Sequence, residues 1–165
     1  MSNFIINPYS LAAATQEYCQ SVSTTSQGFN TGRIGVGTRI DSGHVLAGKE
    51  ISSVTLNLTG NNSGDKDIKI RIYNNDASSY VVFATSNTDN IASGFANYTF
   101  SGSTTLDASG GYIGIFIEDD TSVACAYSAS TNESNAVLAY FGSNYSDTWE
   151  NQGTNDSLRY CADYS

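Results

Sequence analysis

Asp67-Ile68-Lys69-Ile70-Arg71-Ile72-Tyr73 sets an isoleucine at every second position and a charged or aromatic residue between them. Successive side chains of a strand leave opposite faces, so this alternation predicts a half-buried β-strand. Ile68, Ile70 and Ile72 belong on a core, and Lys69 and Arg71 on a solvated face. Just upstream, Val54-Thr55-Leu56-Asn57-Leu58-Thr59 alternates in the same way. The residues between, Gly60 to Lys66, are types that accept turn geometry, so the two strands are expected to pair antiparallel.

Working outward, further strands are predicted at Gly32–Arg39, His44–Leu46, Tyr80–Thr85, Asn97–Phe100, Tyr112–Glu118, Ser122–Tyr127, Ala136–Phe141 and Ser157–Cys161. Eight to ten short strands separated by polar turns describe an all-β, two-sheet antiparallel β-sandwich. A jelly roll is the leading arrangement, and an immunoglobulin-like sandwich is the alternative. Composition agrees: Ser, Thr, Asn and Gly make up 71 of 165 residues (24, 16, 16 and 15), which favours turns over helices.

The first thirty residues differ from the rest. Phe4-Ile5-Ile6-Asn7-Pro8-Tyr9 reads as extended, and Ser10 to Tyr18 as one or two helical turns capped by Ser10. Residues 1–30 are therefore expected to form an extended N-terminal arm before a sandwich at 31–165. An apolar arm needs cover from its own domain or a neighbour. Phe4, Ile5, Ile6 and Tyr9 are the candidate interface residues, each contributing roughly 1.5–3 kcal/mol if fully buried.

Seven Lys and Arg against 16 Asp and Glu give a formal charge of -9. A nucleic-acid groove or an anionic membrane surface needs clustered cations, so neither is an expected partner. The start lacks a basic segment followed by an apolar one and does not look like a secretory precursor, although a mature secreted form would look the same. The three cysteines, Cys19, Cys125 and Cys161, are too few for a disulfide scaffold. Cys125 and Cys161 read as small buried hydrophobes in strands, at least one cysteine is free or pairs outside the chain, and a Cys19 to Cys161 bridge is left open.

Catalytic motifs are absent: no GxSxG, HExxH, GxxxxGK[ST] or paired CxxC occurs. His44 is the lone histidine, and its neighbours Asp41 and Ser42 do not make a triad by adjacency alone. Three acidic turns, Asp65-Lys66-Asp67, Asn74-Asn75-Asp76 and Glu118-Asp119-Asp120, offer oxygens to a structural calcium ion. Glu118, Asp119 and Asp120 are the best metal candidates, and no other cofactor is expected. Solvated carboxylates are the default explanation of all three.

Towards the C-terminus, Tyr140, Tyr145 and Trp149 stand among Asn, Asp and Gln residues. Rings that stack on a sugar, flanked by planar hydrogen-bonding groups, are what a glycan surface requires. The same residues suit a protein interface or a core. The six Asn-x-Ser/Thr sequons (Asn57, Asn61, Asn97, Asn132, Asn144 and Asn155) follow from a chain this rich in Asn, Ser and Thr.

The stretch from Ala47 to Leu58, then Ile68–Tyr73 and Gly111–Glu118, resembles the carbohydrate-binding-module-like jelly rolls of tailed-phage virion surfaces. The opening Met1 to Tyr9 is similar to the starts of small marine-phage structural proteins. The resemblance implies a non-enzymatic virion protein, either a capsid decoration protein or the head of a surface fibre, assembled in the host cytoplasm. Its expected partners are other virion proteins and further copies of itself. The alternative is a carbohydrate-binding module that adheres to host surface glycan.

Overall fold

The computed structural model describes residues 14–20, 25–29, 33–61, 65–117, 122–128, 137–141, 149–151 and 157–165, with 137–141 and 149–151 described through their backbone pairing. The strands are β1 (Gln16–Gln20), β2 (Thr25–Gly28), β3 (Arg33–Asp41), β4 (Glu50–Thr59), β5 (Asp67–Asn74), β6 (Tyr80–Asn87), β7 (Ala96–Thr105), β8 (Gly110–Ile117), β9 (Ala124–Ser128), β10 (Val137–Phe141), β11 (Trp149–Asn151), β12 (Ser157–Leu158) and β13 (Tyr160–Tyr164). Among the described residues the helical content is one 3-10 turn, Thr88–Asn90.

Two antiparallel sheets form a sandwich. A six-stranded sheet runs β11-β10-β3-β8-β5-β6, and a seven-stranded sheet is built on β1-β13-β4-β9-β12 with β2 beside β9 and β7 beside β4. The antiparallel pairs β5–β6, β4–β7, β3–β8 and β2–β9 are nested one inside the next. One long hairpin has been rolled so that its paired strands fall alternately into the two sheets. This is the jelly-roll wrapping, and it excludes the immunoglobulin-like alternative.

The wrapping corrects the expected pairing of β4 with β5. These strands lie in different sheets. Adjacent strands with a turn-rich link look like a hairpin from sequence, but a nested hairpin gives β4 to β7 and β5 to β6. The His44–Leu46 strand is likewise replaced by consecutive turns, with the His44 N–H donating to Asp41 and the Ala47 N–H to His44. Leu46 is fully buried there and plugs one end of the core.

Isoleucines at alternating positions fill the space between the sheets. Ile68, Ile70 and Ile72 of β5 join Ile113, Ile115 and Ile117 of β8, and Ile51, Val54, Leu56 and Leu58 of β4 meet them from the other sheet. Each is worth roughly 1.5–3 kcal/mol of burial. Gly102 of β7 lets the open edge close, because a Cβ there would overlap the Phe83 carbonyl oxygen on β6.

The second half of the expected arm belongs to the sandwich. Gln16 to Gln20 pair with β13, and Thr25 to Gly28 with β9, so a strand stands where Gln16-Glu17-Tyr18 were expected to be helical. Helix propensity is a weak prior that sheet pairing overrides here. Cys19 and Cys161 face each other in that register and form a disulfide spanning 142 residues of sequence. Cys125 lies outside the bridge, 1% exposed in the core, as expected of a small hydrophobe. The expected interface residues Phe4, Ile5, Ile6 and Tyr9 lie outside the described residues.

Candidate functional site

The outer face of the six-stranded sheet follows from strand parity. With Ile68, Ile70 and Ile72 committed to the core, Lys69, Arg71 and Tyr73 take the opposite face of β5, and on β8 Tyr112, Gly114 and Phe116 do the same. The hydrogen-bond register then aligns these positions in rows across the sheet. One row reads Trp149, Tyr140, Gly35, Phe116, Lys69, Thr85. The next reads Asn151, Leu138, Gly37, Gly114, Arg71, Val82. A third reads Arg39, Tyr112, Tyr73, Tyr80.

Six aromatic positions thus share one face. Its centre is not the simple solvated surface that the Lys and Arg alternation predicted. Tyr73 and Phe116 are each 2% exposed and form a second apolar cluster with Ile34, against which Ala77 and Tyr112 pack. The directly paired Gly37 and Gly114 withhold two side chains there, leaving room for bulky neighbours to lie over the sheet. Tyr73 stands 4.9 Å from the ring of Tyr80 and 5.8 Å from that of Phe116.

Arginines cover these rings. The Arg71 guanidinium carbon sits 4.5 Å from the Tyr80 ring centre and 4.3 Å from that of Phe116, and its Nη1 donates to the Tyr73 hydroxyl at 3.4 Å. Arg39 reaches over Tyr112 at 5.9 Å and pairs with Asp41 at 3.0 Å. A guanidinium over a ring gains roughly 0.5–2 kcal/mol, more as water is excluded. Tyr80 and Val82 stay exposed at 42% and 46%, so this part of the face meets solvent with a ring and a methyl surface.

Of the glycan candidates, Tyr140 and Trp149 are brought together as cross-strand partners at one margin of this face. Tyr145 lies outside the described residues, as do Glu118, Asp119 and Asp120 of the expected metal site. In the other acidic turns the carboxylates are used locally. Asp76 accepts from the Ser78 N–H at 2.9 Å, and Asp67 stands 3.8 Å from Lys69. Glu17 is close to Cys19 and Cys161, but a disulfide offers no thiolate to a metal. Arg39, Arg71, Tyr73, Tyr80, Tyr112 and Phe116 were missed by sequence reasoning. The available signal was the parity of Tyr112 and Phe116 against Ile113, Ile115 and Ile117.

His44 is part of a structural turn. Its Nδ1 accepts from the Leu46 N–H at 3.2 Å, and Tyr18 packs edge-on against the ring at 4.5 Å. A cleft of about 430 Å³ borders this face between Tyr73, Tyr80, Leu106 and Asp107, and another of about 290 Å³ lies beside Tyr98 and Phe100.

No family model matches the chain, and no curated protein does. A solved structure of the clostridial cysteine protease Cwp84 after propeptide cleavage is similar over 92% of this chain, with a TM-score of 0.60 and 15% identity. The chain spans 40% of that protein's length. At this identity the likeness is one of fold. Cysteine-protease chemistry has no accessible thiol here, since Cys19 and Cys161 are joined and Cys125 is sealed in the core.

Proposed function

We propose that this chain is a non-catalytic binding module that holds a polysaccharide against the outer face of its six-stranded sheet. The observation that carries the reading is the exposed Tyr80 ring beside the Arg71 guanidinium on this face, with Tyr112, Tyr140 and Trp149 at register positions of the same face over the buried Tyr73 and Phe116. Sugar rings present apolar C–H faces ringed by hydroxyls, so an exposed ring such as Tyr80 beside a guanidinium donor is suited to them. An extended sheet face also suits a chain ligand better than a deep pocket does. The module serves adhesion at the surface of a virion or a cell. The assembly role expected of Phe4, Ile5, Ile6 and Tyr9 draws no support from the described residues.

Glycan microarray binding and affinity electrophoresis test the proposal directly. Wild-type protein is expected to be retained by at least one polysaccharide, and Trp149→Ala and Tyr80→Ala to lose that retention with little change in melting temperature. Retention unchanged in both variants would overturn it. A large stability loss in Trp149→Ala alone would reassign that residue to packing and leave Tyr80 to decide.

A further inference from the structure

We infer that the ligand of this face is acidic, and that Arg71 receives its carboxylate or sulfate group. The inference rests on the polysaccharide reading above and narrows it to a substrate class. Three of the seven Lys and Arg residues, Arg39, Lys69 and Arg71, share this face in a chain of net charge -9. Arg39 and Lys69 are accounted for by Asp41 and Asp67 at 3.0 and 3.8 Å. Arg71 has no carboxylate within ion-pair distance among the described residues, and its Nε is buried without a hydrogen-bond partner.

A cation half removed from water and left without a counter-charge is costly unless something compensates it. The rings of Tyr80 and Phe116 compensate in part and also fix the guanidinium plane. With Nε sealed, the edge left to a ligand is that of Nη1 and Nη2, and a planar pair of N–H groups held in one orientation matches the paired oxygens of a carboxylate or a sulfate ester, with less entropy left to lose on binding. Tyr80, 42% exposed beside it, offers a ring to the sugar that carries the acid. The overall charge sharpens the point. A protein this acidic repels polyanions in general, so affinity for one requires a local site.

The experiment compares affinity electrophoresis of the full chain in polygalacturonate (carboxylate only), λ-carrageenan (sulfate only) and dextran (neutral). Retention by one or both acidic polymers, none by dextran, and weakening as salt rises are expected. Arg71→Met, which keeps the stem over the rings, is expected to lose about tenfold or more of that affinity, equivalent to about 1.4 kcal/mol. Arg71→Lys should fall between, having the charge without the fork, and Lys49→Met should bind as wild type. Should Arg71→Met fail to fold, the salt dependence of the wild type and the Arg71→Lys comparison still decide. Equal or stronger retention by dextran, or Arg71 variants that bind acidic polymers like wild type, would overturn the inference and leave the polysaccharide reading standing. Absence of retention by these polymers together with a blank glycan array would overturn both.

Discussion

The two sheets turn different chemistry outward. The seven-stranded sheet carries small polar residues that satisfy one another: Thr55 and Thr99 share a hydrogen bond of 2.8 Å, the Asn57 amide donates to Asn97 at 2.8 Å, and Ser53 donates to Asp163 at 2.7 Å. The Cys19–Cys161 bridge is in register with Thr55 and Thr99 on the same sheet. The six-stranded sheet instead carries rings roofed by arginines, with one guanidinium charge uncompensated among the described residues. Side chains paired in this way have less to offer a ligand, although a cleft of about 190 Å³ opens on the same face beside Gln20, Asn57, Asn97 and Arg159. The six-stranded side sets the exposed Tyr80 ring beside the stacked guanidinium of Arg71, and that combination is what the polysaccharide proposal uses.

The largest effect is expected at Phe116, which tests whether the rings of that face form a true second core. Phe116→Ala should destabilise the fold by about 3–5 kcal/mol in denaturant unfolding, as for a large buried ring. A loss below about 1 kcal/mol would mean that the ring is only surface decoration. Next is the bridge on the opposite sheet. Replacing Cys19 and Cys161 together by Ser should cost roughly 2–4 kcal/mol, because the cross-link constrains the unfolded chain over a long loop. Polysaccharide retention should survive it, and loss of binding in a folded double variant would erase the contrast between the faces.

Period-two alternation made the sandwich legible, because Ile68, Ile70 and Ile72 left no doubt about which face was inner. Pairing was less legible. Val54–Thr59 and Asp67–Tyr73 are neighbours in sequence, and local signals do not distinguish a hairpin from a crossing between sheets, which is settled by partners such as Tyr98 and Ile115 far along the chain. The outer face was half legible for the same reason. Lys69 and Arg71 read as solvated because charge is a local property, whereas their company with Phe116 and Tyr80 exists only after three strands have met. Tyr140 and Trp149 were readable as aromatic candidates, but not as cross-strand partners. The disulfide was open because a spacing of 142 residues has no signature until β1 and β13 are in register.

A smaller effect would sharpen the account of the seven-stranded face. A double-mutant cycle on Asn57→Ala and Asn97→Ala should return a coupling of about 0.5–1.5 kcal/mol, the net worth of one hydrogen bond between neutral groups. Glycan retention should not change in either variant. Coupling near zero would show that these amides prefer water to each other, and the internal pairing invoked for that face would fail.

The smallest effect lies at the turns joining the strands. Hydrogen bonds from Ser78 hold the Asp76 carboxyl below its ordinary 3.8, and those from Ser109, backbone first and then side chain, do the same for Asp107. A folded-state value below the unfolded one contributes stability that is present above the unfolded value and lost as pH falls through the folded value. Asn at either position keeps an oxygen acceptor but not the charge, and so imitates the protonated acid. Asp107→Asn should therefore melt slightly below wild type near neutral pH, and the two curves should converge once the medium is acid enough to protonate Asp107. Thermal melts across the acid range read this directly. A gap that persists in acid would assign the loss to packing of the turn. The Ser109 N–H and hydroxyl, both 2.9 Å from Asp107 Oδ1, would then matter through geometry and not through charge.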